Sequence, residues 1–231
     1  MPSAPVPVDA DLGALPALPR RASTAEAVAG VLRTQISQGR ILPGAQLREE
    51  QIAAALGVSR NTVRESFRLL GHERLVEHAL HKGVFVRTIG PDGIREMYVT
   101  RRLLEPLGLG EIVASRETLA ALDAIVAEAE QAAETGDWES VGTGDIEFHR
   151  RLVAAAGSVH VSSMFDGLLA ELRLAFLQLP DREALHEPFL RRNRTLVDLL
   201  GRGDVKGARN ELEEYLTAAE TALLAVVTTT A

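Results

Sequence analysis

The stretch that most constrains the fold is residues 47–70, LREEQIAAALGVSRNTVRESFRLL, which has the pattern of two short helices joined by a tight turn. Gly57 permits the left-handed backbone that such a turn requires, and Ser59 stands where the N-cap of the second helix belongs. The apolar side chains of this second helix recur at the spacing of one helix face: Val63, Phe67 and Leu70. The pattern predicts a helix-turn-helix.

The flanking residues extend this motif on both sides. Before it stands the apolar face of another amphipathic helix, formed by Val28, Leu32 and Ile36. After it, Lys82 and Gly83 lie between two short β-prone runs at 75–77 and 84–88. A helical core followed by a hairpin with a basic tip predicts a winged helix-turn-helix.

The distribution of charge bears on what the polar face of the second helix does. Asn61, Arg64 and Arg68 project away from the apolar face, and such cations are either simply solvated or available to phosphates. Residues 20–90 contain eleven Lys or Arg against six Glu, a balance of +5, whereas residues 91–231 contain fourteen against twenty-four, a balance of −10. A basic first part and an acidic second part indicate that only the first part meets nucleic acid.

Several compositional features exclude other classes of protein. The sequence has no cysteine, which excludes a disulfide framework, and no apolar run near the roughly 20 residues that span a bilayer. Residues 1–20 are rich in Pro and Ala and carry acidic residues where a secretory signal is basic, so we expect a disordered leader. These features favour a cytoplasmic location.

Gly and Pro at 89–93 divide the chain into a predicted winged domain, 21–89, and a second domain, 90–231. The second domain is helical in pattern, with Pro188 expected in the first turn of its helix. The predicted helices cover 93–114, 116–135, 143–156, 159–178, 187–201 and 204–227. The predicted fold class is therefore mainly α: a winged helix-turn-helix with a small β-hairpin wing, followed by an all-α bundle.

The bundle contains polar residues that helical periodicity directs inward. Asp145 and His149 fall near the middle of an apolar arc on their helix, and three other polar side chains share faces with apolar residues: Arg101, Asn193 and Tyr215. Buried charges require partners. Either Asp145, His149 and Arg101 satisfy one another, or the five groups form an effector site in which Arg101 binds a carboxylate and Asn193 and Tyr215 form hydrogen bonds.

Residues 31–87 resemble the DNA-binding domain of the GntR family of bacterial transcription regulators. The resemblance rests on a GxIxPG turn at 39–44, the VSRxxVRE run at 58–65 and the wing glycine, Gly83. RRLLEP at 101–106 and DIEFH at 145–149 resemble the effector-binding FCD domain of the FadR subfamily, over about residues 92–227. The resemblance implies a homodimer that binds a palindromic operator under the control of a small metabolite.

In the family, the recognition helix enters the major groove and the wing reaches the minor groove. The resemblance implies these DNA-contacting residues: Arg48, Ser59, Arg60, Asn61, Thr62, Arg64, Lys82 and Gly83. Arg60 or Arg64 suits bidentate recognition of guanine, and Ser59 and Thr62 suit phosphate contacts at the helix N-terminus. Asn61-Thr62 replaces the usual Thr-Pro of the family, so a different base preference is expected.

Many relatives bind a divalent metal through one Asp and three His. Here Asp145 and His149 match the first two positions, but Asn193 and Tyr215 occupy the others, and amide and neutral phenol are poor zinc ligands. His186 lies beyond Pro188 and is expected to reach the site only through an unusual bend. The residues therefore predict direct effector binding without a tightly held metal.

Two other functions stay open from sequence alone. Asp145 and His149 are compatible with a metal-dependent hydrolytic enzyme, although HExxH, GxSxG and Gly-rich phosphate-loop motifs are all missing. A winged helix also serves as a protein-interaction module, which the +5 charge and the arginines of the second helix disfavour. The expected function is therefore non-enzymatic regulation of transcription.

Overall fold

The N-terminal part packs three helices against a small antiparallel sheet. The computed structural model describes residues 23–179 and 181–230, so the predicted leader lies outside the described residues. The elements are α1 (Thr24–Ser37), β1 (Gln46–Leu47), α2 (Glu49–Leu56), α3 (Arg60–His72), β2 (Val76–Ala79) and β3 (Gly83–Val86). β3 lies between the other two strands, with Val84 paired to Leu47 and Val86 paired to Val76. The predicted winged helix-turn-helix is confirmed.

The turn between α2 and α3 has the predicted local chemistry. Gly57 caps α2 in the left-handed region, with φ of 65°, and the Ser59 hydroxyl accepts a hydrogen bond from the Thr62 backbone N–H at 3.1 Å. β1 was not predicted, because a two-residue strand is too short to show alternation. The bounds of the wing strands, β2 and β3, also differ by one or two residues from the predicted runs at 75–77 and 84–88. Pairing between strands sets these bounds: β3 pairs with both β1 and β2.

The rest of the described chain is a helical bundle. Its elements are α4 (Pro91–Leu104), a 3-10 turn (Glu105–Gly108), α5 (Leu109–Ala114), α6 (Arg116–Glu134), α7 (Trp138–Ala154), α8 (Val159–Leu177), α9 (Arg182–Gly201) and α10 (Val205–Thr230). α7 is central and packs against α6, α8 and α9. Among the described helices, none combines the length and apolarity needed to cross a membrane. The predicted all-α second part is confirmed.

The single predicted helix over 93–114 is wrong, because the chain forms a 3-10 turn between α4 and α5. Pro106 has no N–H to continue the helix, and its ring conflicts with the carbonyl four residues earlier. Gly108 lies so close to α7 that a Cβ there would stand 2.0 Å from the Leu152 carbonyl oxygen. The break between α4 and α5 thus lets the 3-10 turn pack directly against α7.

Two helices begin earlier than predicted. α7 begins at Trp138 because Asp137 caps it by accepting from the Ser140 N–H at 3.1 Å. α9 begins at Arg182 because Asp181 caps it in the same way, so Pro188 lies inside the helix and not in its first turn. The side-chain caps outweigh the breaking tendency of Gly and Pro in these two segments.

Candidate functional site

The residues predicted to contact DNA form a candidate surface on α2, α3 and the wing. α3 buries its apolar face completely, with Val63, Phe67 and Leu70 at 0% exposure. Seven of the eight predicted contact residues are exposed: Arg48, Ser59, Arg60, Asn61, Arg64, Lys82 and Gly83. The eighth, Thr62, is half-buried. The Gln46 amide donates to the Lys82 carbonyl at 2.7 Å and so joins the wing tip to β1. This surface can present cations to a polyanion.

Glu49, at the start of α2, is a residue of this surface that sequence reasoning missed. Both of its carboxylate oxygens accept from Arg64 Nε at 2.9 Å, and Arg60 Nε lies 3.9 Å from one of them. Glu49 is close to Arg64 only because the tight turn folds α2 against α3. An acidic residue at the first position of α2 was the sole available signal.

The five predicted inner residues are buried together, as periodicity indicated. Their relative exposures are 1% for Arg101, 7% for Asp145, 0% for His149, 2% for Asn193 and 1% for Tyr215. The side chains come from α4, α7, α9 and α10. We call these residues, together with Glu105, Tyr98 and His186, the inner cluster.

Glu105 bridges two of the predicted residues, and sequence reasoning missed it. It is fully buried, accepts from Arg101 Nε at 2.6 Å, and lies 2.6 Å from His149 Nδ1. Of the two alternatives, mutual pairing of Asp145, His149 and Arg101 does not describe this part of the cluster, because Glu105 is the carboxylate that pairs with Arg101. Its position four residues after Arg101 was a usable signal.

The electrostatics of Glu105 follow from these two neighbours. Burial alone acts to raise the pKa of Glu105, but Arg101 and His149 outweigh it, so that the pKa falls below the ordinary value of 4.5. The ionised carboxylate of Glu105 can only accept, so Nδ1 of His149 donates to it in this hydrogen bond.

Asp145 is held by two donors on one oxygen. Its Oδ1 accepts from Tyr215 Oη at 2.7 Å and from Asn193 Nδ2 at 2.8 Å. Burial acts to raise the pKa of Asp145, but His149 and its other neighbours outweigh that effect and lower it. Burial, reinforced by Asp145, raises the pKa of Tyr215 well above 10, so the phenol stays protonated and donates.

His186 belongs to this cluster, contrary to the expectation that an unusual bend is needed. α9 runs continuously through Pro188, so His186 and Asn193, two helical turns apart, share a face. His186 is 4% exposed and packs edge-on against Phe176, with ring centroids 5.0 Å apart. Burial lowers the pKa of His186, which keeps the imidazole neutral near pH 7.

The cluster retains unused hydrogen-bonding capacity. Four of its buried polar atoms have no hydrogen-bond partner in the described chain: Tyr98 Oη, Arg101 Nη2, His149 Nε2 and Asn193 Oδ1. Two cavities of about 10 Å³ each, room for roughly one water, are both lined by Asp145 and His186. Because an unpaired buried polar atom costs about 1–3 kcal/mol, a water or a polar ligand bound to these atoms would stabilise the cluster.

The residues of the cluster do not fit the metal site that its relatives suggest. Asn193 and Tyr215 direct N–H and O–H groups at Asp145 Oδ1, the oxygen that His149 Nε2 approaches to 3.8 Å. A protonated phenol is a poor ligand. Over the described residues, no three His, Asp or Glu side chains are arranged to hold a metal ion.

α8 connects the inner cluster with the winged part. Glu171, only 8% exposed at its side chain, accepts from Arg74 at 3.0 Å and from Arg87 at 3.1 Å. Arg173 donates to the Ser37 carbonyl, at the end of α1, at 2.8 Å. Phe176 of the same helix contacts His186. α8 therefore contacts both the winged part and the inner cluster.

A winged helix-turn-helix attached to a helical bundle with a buried polar cluster is the architecture of a transcription regulator. Residues 24–86 match the family described as bacterial regulatory proteins, gntR family, and residues 96–218 match the FCD domain family. This chain belongs to the GntR family and carries an FCD domain.

Relatives and solved structures agree with this membership. A Paenarthrobacter nicotinovorans protein, named a probable D-xylose utilization operon transcriptional repressor, is 29% identical over 86% of this chain and 88% of its own. The gluconate operon transcriptional repressor of Bacillus subtilis is 28% identical over 73% of this chain and 70% of its own. A solved structure from Rhodococcus sp. RHA1, described as a GntR transcriptional regulator, is 38% identical, with a TM-score of 0.83 over 87% of this chain and 97% of that one.

Proposed function

We propose that this regulator acts in the bacterial cytoplasm by binding a palindromic operator as a homodimer, with residues 21–89 contacting DNA and residues 90–231 receiving a small effector. The DNA-binding part of the proposal is supported by the exposed cations of α3. The side chains of Arg60, Arg64 and Arg68 are 58%, 59% and 72% exposed beside a wing that ends in Lys82. Such a surface suits the major groove.

Replacing Arg64 by Ala tests the base-contact assignment. A bidentate contact to guanine is worth about 1–3 kcal/mol, so we expect affinity for a selected operator to fall roughly 5- to 150-fold in fluorescence anisotropy. The matched control is Arg191→Ala on α9, an exposed arginine paired with Glu187, which should leave affinity unchanged. Equal affinity of Arg64→Ala and the native protein would refute the assignment of Arg64.

The proposed homodimer follows from the geometry of a palindrome. Two copies of α3 must enter successive major-groove turns about 34–36 Å apart, which one chain with one α3 cannot do. Light scattering at micromolar concentration should give twice the chain mass of 24.9 kDa. A single-chain mass both free and on the operator would contradict this part of the proposal.

The effector part of the proposal rests on one observation, the four unpartnered buried atoms of the inner cluster. A small carboxylate suits them, because Arg101 Nη2 donates to a carboxylate oxygen while Asn193 Oδ1 accepts from a hydroxyl or amino group. The two cavities are far smaller than ordinary ligand pockets of roughly 300–1,000 Å³. Binding therefore requires the helices around the cluster to move, and a ligand that favours the moved state shifts the placement of the winged parts.

A thermal-shift screen of small carboxylates tests the effector site, followed by operator binding with each hit. A ligand at 100 times its Kd adds about 2.7 kcal/mol of stability, which raises Tm by several degrees. Asn193→Ala should lose this increase, whereas the exposed control Arg191→Ala should keep it. A screen in which no small carboxylate raises Tm would contradict the proposed ligand class.

We also infer that the inner cluster binds and does not catalyse. Asp145 Oδ1 is occupied by two donors, and the surrounding side chains are nearly inaccessible to solvent. A hydrolytic site needs a general base that substrate and water can reach, and burial keeps both away from these side chains. No observation favours the enzyme or the protein-interaction alternative over gene regulation.

A further inference from the structure

Glu49 places a negative charge in the middle of the cationic surface formed by α2 and α3. Its carboxylate lies 2.9 Å from Arg64 Nε and 3.9 Å from Arg60 Nε, so one acidic side chain forms ion pairs with two arginines of α3. A carboxylate here repels DNA phosphates and weakens sequence-independent attraction. Any contribution of Glu49 to DNA binding must therefore come from something other than attraction to the phosphates.

The hydrogen-bond geometry of the pair suggests what that contribution is. Both carboxylate oxygens accept from the single Nε–H of Arg64, and neither Nη group of Arg64 bonds to any described residue. The terminal fork of the guanidinium, which recognises guanine O6 and N7 in a bidentate manner, is therefore free. The same pair limits the conformations open to the Arg64 side chain, so less of its rotamer entropy is lost on binding.

Arg68 provides a contrast on the same helix. Its Nη1 donates to Glu65 at 3.0 Å, so its fork is partly occupied, and the pair is more exposed, at 72% and 52%. Glu65 lies three residues away on α3 itself, whereas Glu49 reaches Arg64 from another helix. Of these two pairs, that of Glu49 is the one that joins an arginine of α3 to another helix.

We propose that Glu49 is a positioning residue for operator recognition, which holds Arg64 through Nε so that its Nη fork faces the base pairs. Glu49 also lowers attraction to non-operator DNA by neutralising part of the local positive charge. Together, the two effects increase the ratio of operator affinity to non-specific affinity, and this ratio is the quantity that matters in a genome of competing sites. The proposal rests on the DNA-binding function proposed above.

The test begins with a duplex selected from a random pool by the native protein. Anisotropy then measures the affinities of Glu49→Ala for this duplex and for a scrambled duplex of equal length. We expect tighter binding to the scrambled duplex and a roughly tenfold fall in the affinity ratio, the middle of the range for one bidentate contact. The matched control, Glu65→Ala, removes the same charge from the same surface and should change the ratio less than about twofold.

A double-mutant cycle separates positioning from simple repulsion. In an Arg64→Ala background, Glu49→Ala should no longer change the affinity ratio, and Glu49→Gln should fall between the native protein and Glu49→Ala. Circular dichroism confirms that each variant folds. An unchanged ratio in Glu49→Ala, or an equal fall in Glu65→Ala, overturns the proposal. Failure of the native protein to select any sequence would instead overturn the proposed DNA-binding function.

Discussion

Glu105 provides the sharpest test of how the inner cluster is stabilised. It is fully buried, and it pairs with Arg101 and His149, which are 1% and 0% exposed. Glu105→Ala leaves the guanidinium of Arg101 buried without its partner, a change that costs about 3–5 kcal/mol. Because domains are stable by only about 5–15 kcal/mol, the variant should lose a large fraction of its stability, and Tm should fall by roughly 10 °C.

Urea unfolding at pH 7, followed by the fluorescence of Trp138, measures this loss. Trp138 is the only tryptophan of the chain and begins α7, so its signal reports on the bundle. The matched control is Glu187→Ala, which breaks an exposed i,i+4 pair with Arg191 and should cost less than about 0.5 kcal/mol. A loss below about 1 kcal/mol in Glu105→Ala would refute the argument from burial.

The native protein and Glu105→Ala should also differ in how their free energies of unfolding depend on pH. Arg101 and His149 outweigh burial and place the folded pKa of Glu105 below 4.5, so its ionised form stabilises the fold above that pH. The stabilisation is lost as the pH falls through the lowered pKa. The stability difference between the native protein and Glu105→Ala should therefore be constant near neutral pH and should narrow well below pH 4.5. A difference that widens on acidification would contradict the assignment of Glu105 as ionised.

Three further predictions concern other contacts. Glu171→Ala removes the acceptor shared by Arg74 and Arg87 and should lower the free energy of unfolding by about 1–3 kcal/mol; equal urea midpoints for variant and native protein would contradict this. Tyr215→Phe removes one of two donors to Asp145 and should cost about 1–2 kcal/mol in the same assay, whereas an unchanged protein would show that this hydrogen bond contributes nothing. Elemental analysis of purified protein should find well under one metal ion per chain, and one tightly bound zinc or nickel would overturn that expectation.

The features predicted from sequence are those that depend on neighbours along the chain. Helix α3 follows from the spacing of its apolar residues, and its start at Ser59 follows from local capping chemistry. The inward direction of Asp145 and His149 follows from the same periodicity, because residues four apart on a helix share a face. These local rules located both candidate sites.

The errors arose where contacts between distant segments decide the outcome. The break after α4 depends partly on the close approach of Gly108 to the Leu152 carbonyl of α7. The role of Glu49 became visible only when α2 met α3, and the bond between Glu105 and His149 only when the turn after α4 met α7. His186 was misjudged because Pro188 was expected to begin its helix.

The sequence by itself thus determined the winged helix-turn-helix, the helical second part and the set of polar residues that face inward. Periodicity and capping depend on residues that are near one another along the chain, so they can be recognised from the sequence alone. Only the tertiary structure decided which partners the buried charges have across separate elements: Glu105 for His149, and Tyr215 with Asn193 for Asp145. Those pairings depend on how separate helices pack against one another, and helix packing is set by shape and burial across the whole bundle.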